Sequence, residues 1–230
     1  MIADKLAQVH RRIASACADA GRPVQSVTLL VVSKTFAATA VREAFDAGEQ
    51  RFGENHVQEG LDKIEALADL RAQLEWHLIG PVQSNKTRVV AEGFDWVHSV
   101  DRLKIAERLS AQRPAHLPPL AVCLQVNISG EASKSGFAPG EVAAVAHAVA
   151  TLPRLALRGL MAIPEPAADF DAQRRPHRAL RELFESLQRD GLALDTLSMG
   201  MSADLEAAIA EGATLVRVGS AIFGDRLRAG

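Results

Sequence analysis

VTLLVVSK, residues 27–34, is the stretch on which the reading of this chain turns. It is apolar at consecutive positions, rich in β-branched residues and bounded by turn formers. That pattern describes a strand buried on both faces, as in a parallel sheet covered by helices. Upstream, Ile2, Leu6, Val9 and Ile13 recur at helical spacing until Gly21 and Pro23 end the pattern, so the first twenty residues form a helix ahead of the first strand. Downstream the strand–helix unit repeats. Helical stretches over 38–47, 57–70, 85–91, 101–112, 140–151, 176–191 and 203–211 alternate with strand candidates around Phe52 and over 75–80, 96–100, 120–128, 155–163, 196–200 and 214–219. Strict alternation implies parallel strands joined by helical crossovers. Eight such units close into a barrel, whereas an open doubly wound sheet commonly has five or six strands. The expected fold is therefore α/β: a single TIM-type (β/α)₈ barrel with an extra N-terminal helix, and residues 1–230 form one domain.

Composition narrows the function classes. The chain has 230 residues, of which 48% are hydrophobic and 23% charged, with a net charge of −2. No global field draws it to nucleic acid or to an anionic membrane. No apolar run reaches the length of a membrane span, and the charged, amphipathic start is unlike a signal peptide. Cys17 and Cys123 form no metal-like pair, so the expectation is a reduced cytoplasmic protein with two inert thiols. There are six lysines against twenty arginines, and no tyrosine.

In a barrel, reactive groups gather where strands end. Lys34 ends the most apolar strand; partial desolvation there lowers an amine's pKa and frees its lone pair to attack a carbonyl, although a snorkelling lysine at a strand edge gives the same sequence. In SMGMSAD, Gly200 permits a tight turn and Ser202 reads as the N-cap of the next helix; in RVGSAIFG, Gly219 allows close backbone approach and Ser220 adds a hydroxyl. Together, at the last two strand ends, they describe an anion cradle. Arg217 shares a strand face with Gly219 and reads either as a donor to a bound ring or as the partner of a barrel carboxylate. His56, His77 and His98 lie near different strand ends with no carboxylate at ligand spacing, so no metal is expected. A GxSxG elbow and a Gly-rich dinucleotide turn are both absent.

The segments VSKT, RFGENHVQE, EWHLIGPVQSNK, VHSVD, VNISGEASKSGF, GLMAI, LSMGMSADLEAAI and RVGSAIFG resemble the pyridoxal phosphate homeostasis protein family, also called PROSC-like, over nearly the whole chain. The resemblance implies a barrel like the alanine racemase N-terminal domain. It implies pyridoxal phosphate (PLP) held as a Schiff base on Lys34, and a phosphate held by Ser202, Gly219 and Ser220 with the backbone of Met199 and Gly200 nearby. It further implies Arg217 facing the pyridine nitrogen and Asn55 beside the ring. His56 and Val82 depart from the family pattern, and position 56 bears on access to the ring's open face. The implied role is intracellular PLP homeostasis and delivery to PLP-using apoenzymes, by a monomer without established turnover.

The chemistry agrees with that role. A guanidinium is a poor proton donor to the ring nitrogen, which weakens the ring as an electron sink and disfavours transamination and decarboxylation. A two-base racemase of the alanine type needs a tyrosine opposite the lysine, and there is none. A PLP-dependent racemase or lyase of low activity is the alternative, and a phosphate-binding barrel without covalent chemistry a third. Lys86 and Lys134, in QSNK and SKSG, are expected outside the primary site.

Overall fold

The computed structural model describes residues 1–131 and 134–224. Its order is α1 (Ile2–Asp19), β1 (Thr28–Val32), α2 (Ala38–Asp46), β2 (Arg51–Glu54), α3 (Val57–Ala66), β3 (Glu75–Leu78), α4 (Thr87–Gly93), β4 (Trp96–Val100) and α5 (Leu103–Gln112). There follow β5 (Leu120–Gln125), α6 (Val142–Ala150), β6 (Leu155–Met161), α7 (Phe170–Arg189), β7 (Thr196–Met201), α8 (Leu205–Ala210), β8 (Leu215–Val218) and α9 (Ser220–Phe223). Each strand pairs in parallel with its sequence neighbours, and β8 returns to β1, so the sheet is a closed barrel. The expected fold class is what the structure shows.

The double-sided burial of β1 follows from closure. Leu29 and Val31 join the core between sheet and helices, while Leu30 and Val32 cluster with Ile79 and Leu215 inside the barrel. Each such side chain contributes ~1.5–3 kcal/mol by leaving water. Helix α1 packs on α2, α8 and α9, burying Leu6, Val9, Ile13, Ala16 and Cys17. Just beyond it, the Arg22 guanidinium donates to the carbonyls of Ile209 (2.7 Å) and Ala213 (2.8 Å), which ties the segment to the β7–β8 side.

Several boundaries differ from the sequence reading, two of them by a whole turn of helix or more. Helix α7 begins at Phe170 and passes through Pro176, because Asp169 caps it by accepting from the Ala172 N–H at 2.8 Å. A good cap and a strongly amphipathic face outweigh the one backbone bond that an internal proline removes. At the other end, the sequence reading stopped at the last strand, and residues 220–223 form the short helix α9.

The β8–β1 seam positions the site. Its register pairs Leu30 with Arg217 and Val31 with Val218, so the ends of the first and last strands emerge side by side. Among the described residues, no helix is long and apolar enough to cross a membrane.

Candidate functional site

A cavity of about 980 Å³ opens at the C-terminal ends of the strands. It is lined by Lys34 after β1, Asn55 after β2, Ile79 and Gly80 after β3, and residues 125–128 at the end of β5. Met201, Ser202 and Ala203 follow from β7, and Arg217, Gly219 and Ser220 from β8. Six of the eight residues expected to hold a cofactor thus meet in one space, although they come from four strand ends spread over the chain.

Lys34 is half-buried, in a tight turn. The turn is held from behind by a buried ion-pair cluster. Lys63 of α3 directs its three ammonium N–H groups to the Ser33 carbonyl (2.7 Å), Glu54 Oε1 (2.7 Å) and Glu59 Oε1 (2.8 Å). The Ser33 hydroxyl donates to Glu54 at 2.6 Å, and the Thr35 N–H donates to Glu59. Both neighbours of Lys34 are therefore anchored, and Thr35 is kept at a φ of 70°, a left-handed conformation costly for a β-branched residue. Glu54 is fully buried, and burial raises its carboxyl above the usual range despite the opposing pull of Lys63. The sequence reading passed over Glu54, Glu59 and Lys63; the spacing of Glu59 and Lys63, one helical turn apart, was the signal available.

The anion cradle is built by irregular backbone. Strand β7 shifts register between Ser198 and Met201, so Met201 pairs with Arg217 and points where alternation would have placed Gly200. Met199 and Gly200 consequently do not line the cavity. Met199 is fully buried in the outer core, and Gly200, at φ +91°, leaves no room for a Cβ beside Ala208. Ser202 is not the N-cap of α8; Asp204 holds that position and takes the Met201 N–H at 2.6 Å while His177 Nε2 lies 2.9 Å from its other oxygen. That leaves the Ser202 hydroxyl to meet Ser220, whose Oγ donates to it at 3.2 Å. Arg12 of α1 buttresses this turn by donating to the Ser202 carbonyl (3.0 Å) while pairing with Glu206 (2.8 Å). Gly219 is required by the seam: a Cβ there would lie 2.7 Å from the Val32 carbonyl oxygen.

Arg217 is 4% exposed. It donates to the Ser198 carbonyl (2.6 Å), the Ser198 hydroxyl (2.7 Å) and the Ala162 carbonyl (2.8 Å), not to a carboxylate. Burial lowers its pKa to about 10, which still leaves it a cation at neutral pH. Its Nε–H is not engaged by these acceptors. Asn55 is fixed by close packing: a Cβ at Gly80 would sit 2.0 Å from the Asn55 carbonyl oxygen.

Several other residues fall differently from expectation. Lys134 lines the same cavity as Lys34, because Phe137 pairs with Val126 just beyond β5 and brings the residues before it beside the strand end. Asn127 N–H donates to the Phe137 carbonyl (3.0 Å), and Lys134 pairs with Glu131 (2.8 Å). Lys86 lies in a 3₁₀ turn outside the cavity lining, and His56, exposed at the start of α3, is not part of that lining although Asn55 before it is. His77 and His98 lie inside the barrel, bonded to each other at 2.8 Å, and Glu75 reaches His77 at 2.9 Å. Among the described residues, no group of three or more His, Cys, Asp or Glu could hold a metal. Cys17 and Cys123 are buried and free, and burial raises the Cys123 thiol to about 12.

An amine at the end of β1 thus shares one cavity with paired hydroxyls and a seam glycine at the mouth of a closed eight-stranded barrel, the layout of a barrel that receives a phosphate-bearing ligand. The family description "Alanine racemase, N-terminal domain" matches residues 5–227. The chain is similar to the pyridoxal phosphate homeostasis protein of Pseudomonas aeruginosa, 63% identical over 98% of this chain and 96% of the relative. It is 55% identical to that of Escherichia coli K12 over 98% and 97%. The chain belongs to the pyridoxal phosphate homeostasis protein family. The solved structure of PipY from Synechococcus elongatus with PLP bound superposes with a TM-score of 0.85 at 38% identity, covering 97% of this chain and 100% of that one.

Proposed function

We propose that this chain, as a single barrel domain, holds PLP as a Schiff base on Lys34 and serves its intracellular homeostasis and delivery without catalytic turnover of its own. The observation that carries the reading is that Lys34, Ser202, Gly219, Ser220 and Arg217 line one cavity. The residues fit the group. The cradle at the seam admits no Cβ, two hydroxyls converge where a phosphate would be received, and a buried cation keeps an N–H for an acceptor atom. The PLP-bound PipY structure, at 38% identity over nearly the whole chain, supports the same assignment. When bound, PLP supplies an aldehyde that joins a primary amine reversibly with loss of water.

The chain's own residues make a holder rather than a catalyst. Lys34 supplies the amine on a turn clamped by Lys63 and Glu59. Arg217 would donate to the ring nitrogen without protonating it, which would withhold the electron sink that most PLP chemistry needs. No tyrosine stands opposite Lys34 to serve as a second base. Buried, unpaired thiols suit a reducing cytoplasm, and we take the working unit to be the monomer.

The test is the visible absorbance of the purified chain with PLP, repeated for Lys34→Ala, followed by borohydride reduction and peptide mapping. Reduced cofactor on Lys34 is the expected result; binding without trapping would favour a phosphate-ligand barrel. Rapid exchange of amino-acid α-protons in deuterated water would favour the racemase or lyase. Transfer to an apoenzyme no faster from the loaded protein than from free PLP would count against delivery.

A further inference from the structure

The interior of such barrels is commonly filled by branched apolar side chains. Here the middle of the barrel holds a continuous polar chain. Arg217 Nη1 lies 2.7 Å from Ser198 Oγ, and Ser198 Oγ lies 2.7 Å from His98 Nδ1. His98 Nε2 lies 2.8 Å from His77 Nδ1, and His77 Nε2 lies 2.9 Å from Glu75 Oε1. The first member faces the cavity described above. The last sits in a separate cleft of about 400 Å³ at the opposite mouth of the barrel, where Glu75 also pairs with Arg51 at 3.2 Å.

The two ends determine the direction of every bond between them. A guanidinium only donates, and an ionised carboxylate only accepts. Ser198 must therefore accept from Arg217 and give its own proton to His98 Nδ1. His98 then carries its proton on Nε2 and donates to His77, which carries its proton on Nε2 and donates to Glu75. Each link holds one proton, and no ring is charged. Burial pushes both histidines below their ordinary range, and His77 and Arg217 push His98 further down, in agreement with that neutral arrangement.

We infer that Glu75 is a positioning residue for Arg217, acting across the barrel through His77, His98 and Ser198. The inference rests on the reading of Arg217 as the donor to the cofactor ring. Glu75 fixes the tautomer of His77, which fixes that of His98, which commits the Ser198 proton and leaves its lone pair turned to Arg217. With the opposite His98 tautomer, Ser198 would face two donors and its own proton would have no acceptor. The serine oxygen would then be shared between the guanidinium and a competing ring N–H, which weakens one of the bonds holding Arg217 and alters the aim of its remaining N–H groups. A chain of this kind is costly to bury and is no stronger than an apolar stack, so its specificity lies in orientation.

Glu75 is partly exposed, so its replacement leaves the core intact. The full chain carrying Glu75→Leu, Glu75→Gln or Arg51→Leu is compared with the wild type. Histidine ¹⁵N spectra without cofactor should show His77 and His98 both protonated at Nε2 in the wild type and in Glu75→Gln, whose amide oxygen still accepts. In Glu75→Leu the tautomers should mix, and the Arg217 guanidinium protons should exchange faster with solvent. With PLP bound, Glu75→Leu should release it about tenfold faster, the size of one hydrogen bond to a charged group, and shift its absorbance. Glu75→Gln and Arg51→Leu should not. A proton on Nδ1 of either ring in the wild type overturns the relay, as does a folded Glu75→Leu whose tautomers, Arg217 exchange and PLP release are all unchanged. Failure of the wild type to bind PLP through Lys34 would instead remove the functional reading, while the cofactor-free spectra still judge the relay.

Discussion

Replacing Lys63 by methionine tests whether the Lys34 turn is held by the cluster behind it. The side chain is almost fully buried and all three of its N–H groups are used, on the Ser33 carbonyl, Glu54 and Glu59. Methionine fills a similar volume but leaves Glu54 without its counter-charge and the Ser33 carbonyl without this donor. Removing one partner of a buried pair costs about 3–5 kcal/mol, a large part of the ~5–15 kcal/mol that domains typically have. Glu54 already has a raised pKa, so part of the cost will be met by its protonation. The double variant Lys63→Met with Glu54→Gln should therefore recover at least half of the loss. Urea unfolding followed by the fluorescence of Trp76 and Trp96 measures the stability, and PLP titration measures the cofactor. Affinity should fall about tenfold or more, because a turn that samples other conformations presents its amine only part of the time. A Lys63→Met protein that loses under about 1 kcal/mol, a value below the usual range for such pairs, or that binds PLP as the wild type does, refutes the clamp.

Other outcomes follow from the same geometry. Gly219→Ala forces a Cβ to 2.7 Å from the Val32 carbonyl, a backbone atom held in the sheet, so thermal unfolding should show a loss of about 1–3 kcal/mol and PLP titration a weakened site. Ser202→Ala and Ser220→Ala should each weaken PLP by about 0.5–1.5 kcal/mol while leaving the binding of pyridoxal, which lacks the phosphate, unchanged; equal losses for both ligands would remove the hydroxyls from the cradle. Stability should fall on acidification. His77 and His98 titrate below their ordinary range when folded, so below about pH 6.5 the unfolded chain binds more protons. Their contribution is complete above that pH and declines below it by up to about 1.4 kcal/mol per pH unit for each ring. Urea midpoints that stay level between pH 7.5 and 5.5 would contradict the buried, neutral pair.

Much of the barrel was legible because its signals are local. VTLLVVSK and the other apolar runs alternate with amphipathic stretches, and eight repeats of that unit have one common closed solution. Lys34, Ser202, Gly219 and Ser220 could be picked out because each stands at the end of such a run, where a barrel opens. The start of α7 was placed late because Pro176 reads locally as the first residue of a helix, while Asp169, the cap that sets the true start, lies seven residues earlier.

What only the tertiary structure decided depends on register and on contacts between distant segments. The shift in β7 turned Met201 inward and left Met199 and Gly200 out of the cavity, because one extra residue reverses every face beyond it. Lys134 entered the cavity only when its loop folded back against β5. The clamp of Lys63 on Ser33, thirty residues away, and the proton order from Glu75 to Arg217 depend on which side chains closure brings within hydrogen-bonding distance. Sequence specifies residue types and periodicity; a hydrogen-bonded network exists only once the eighth strand has met the first.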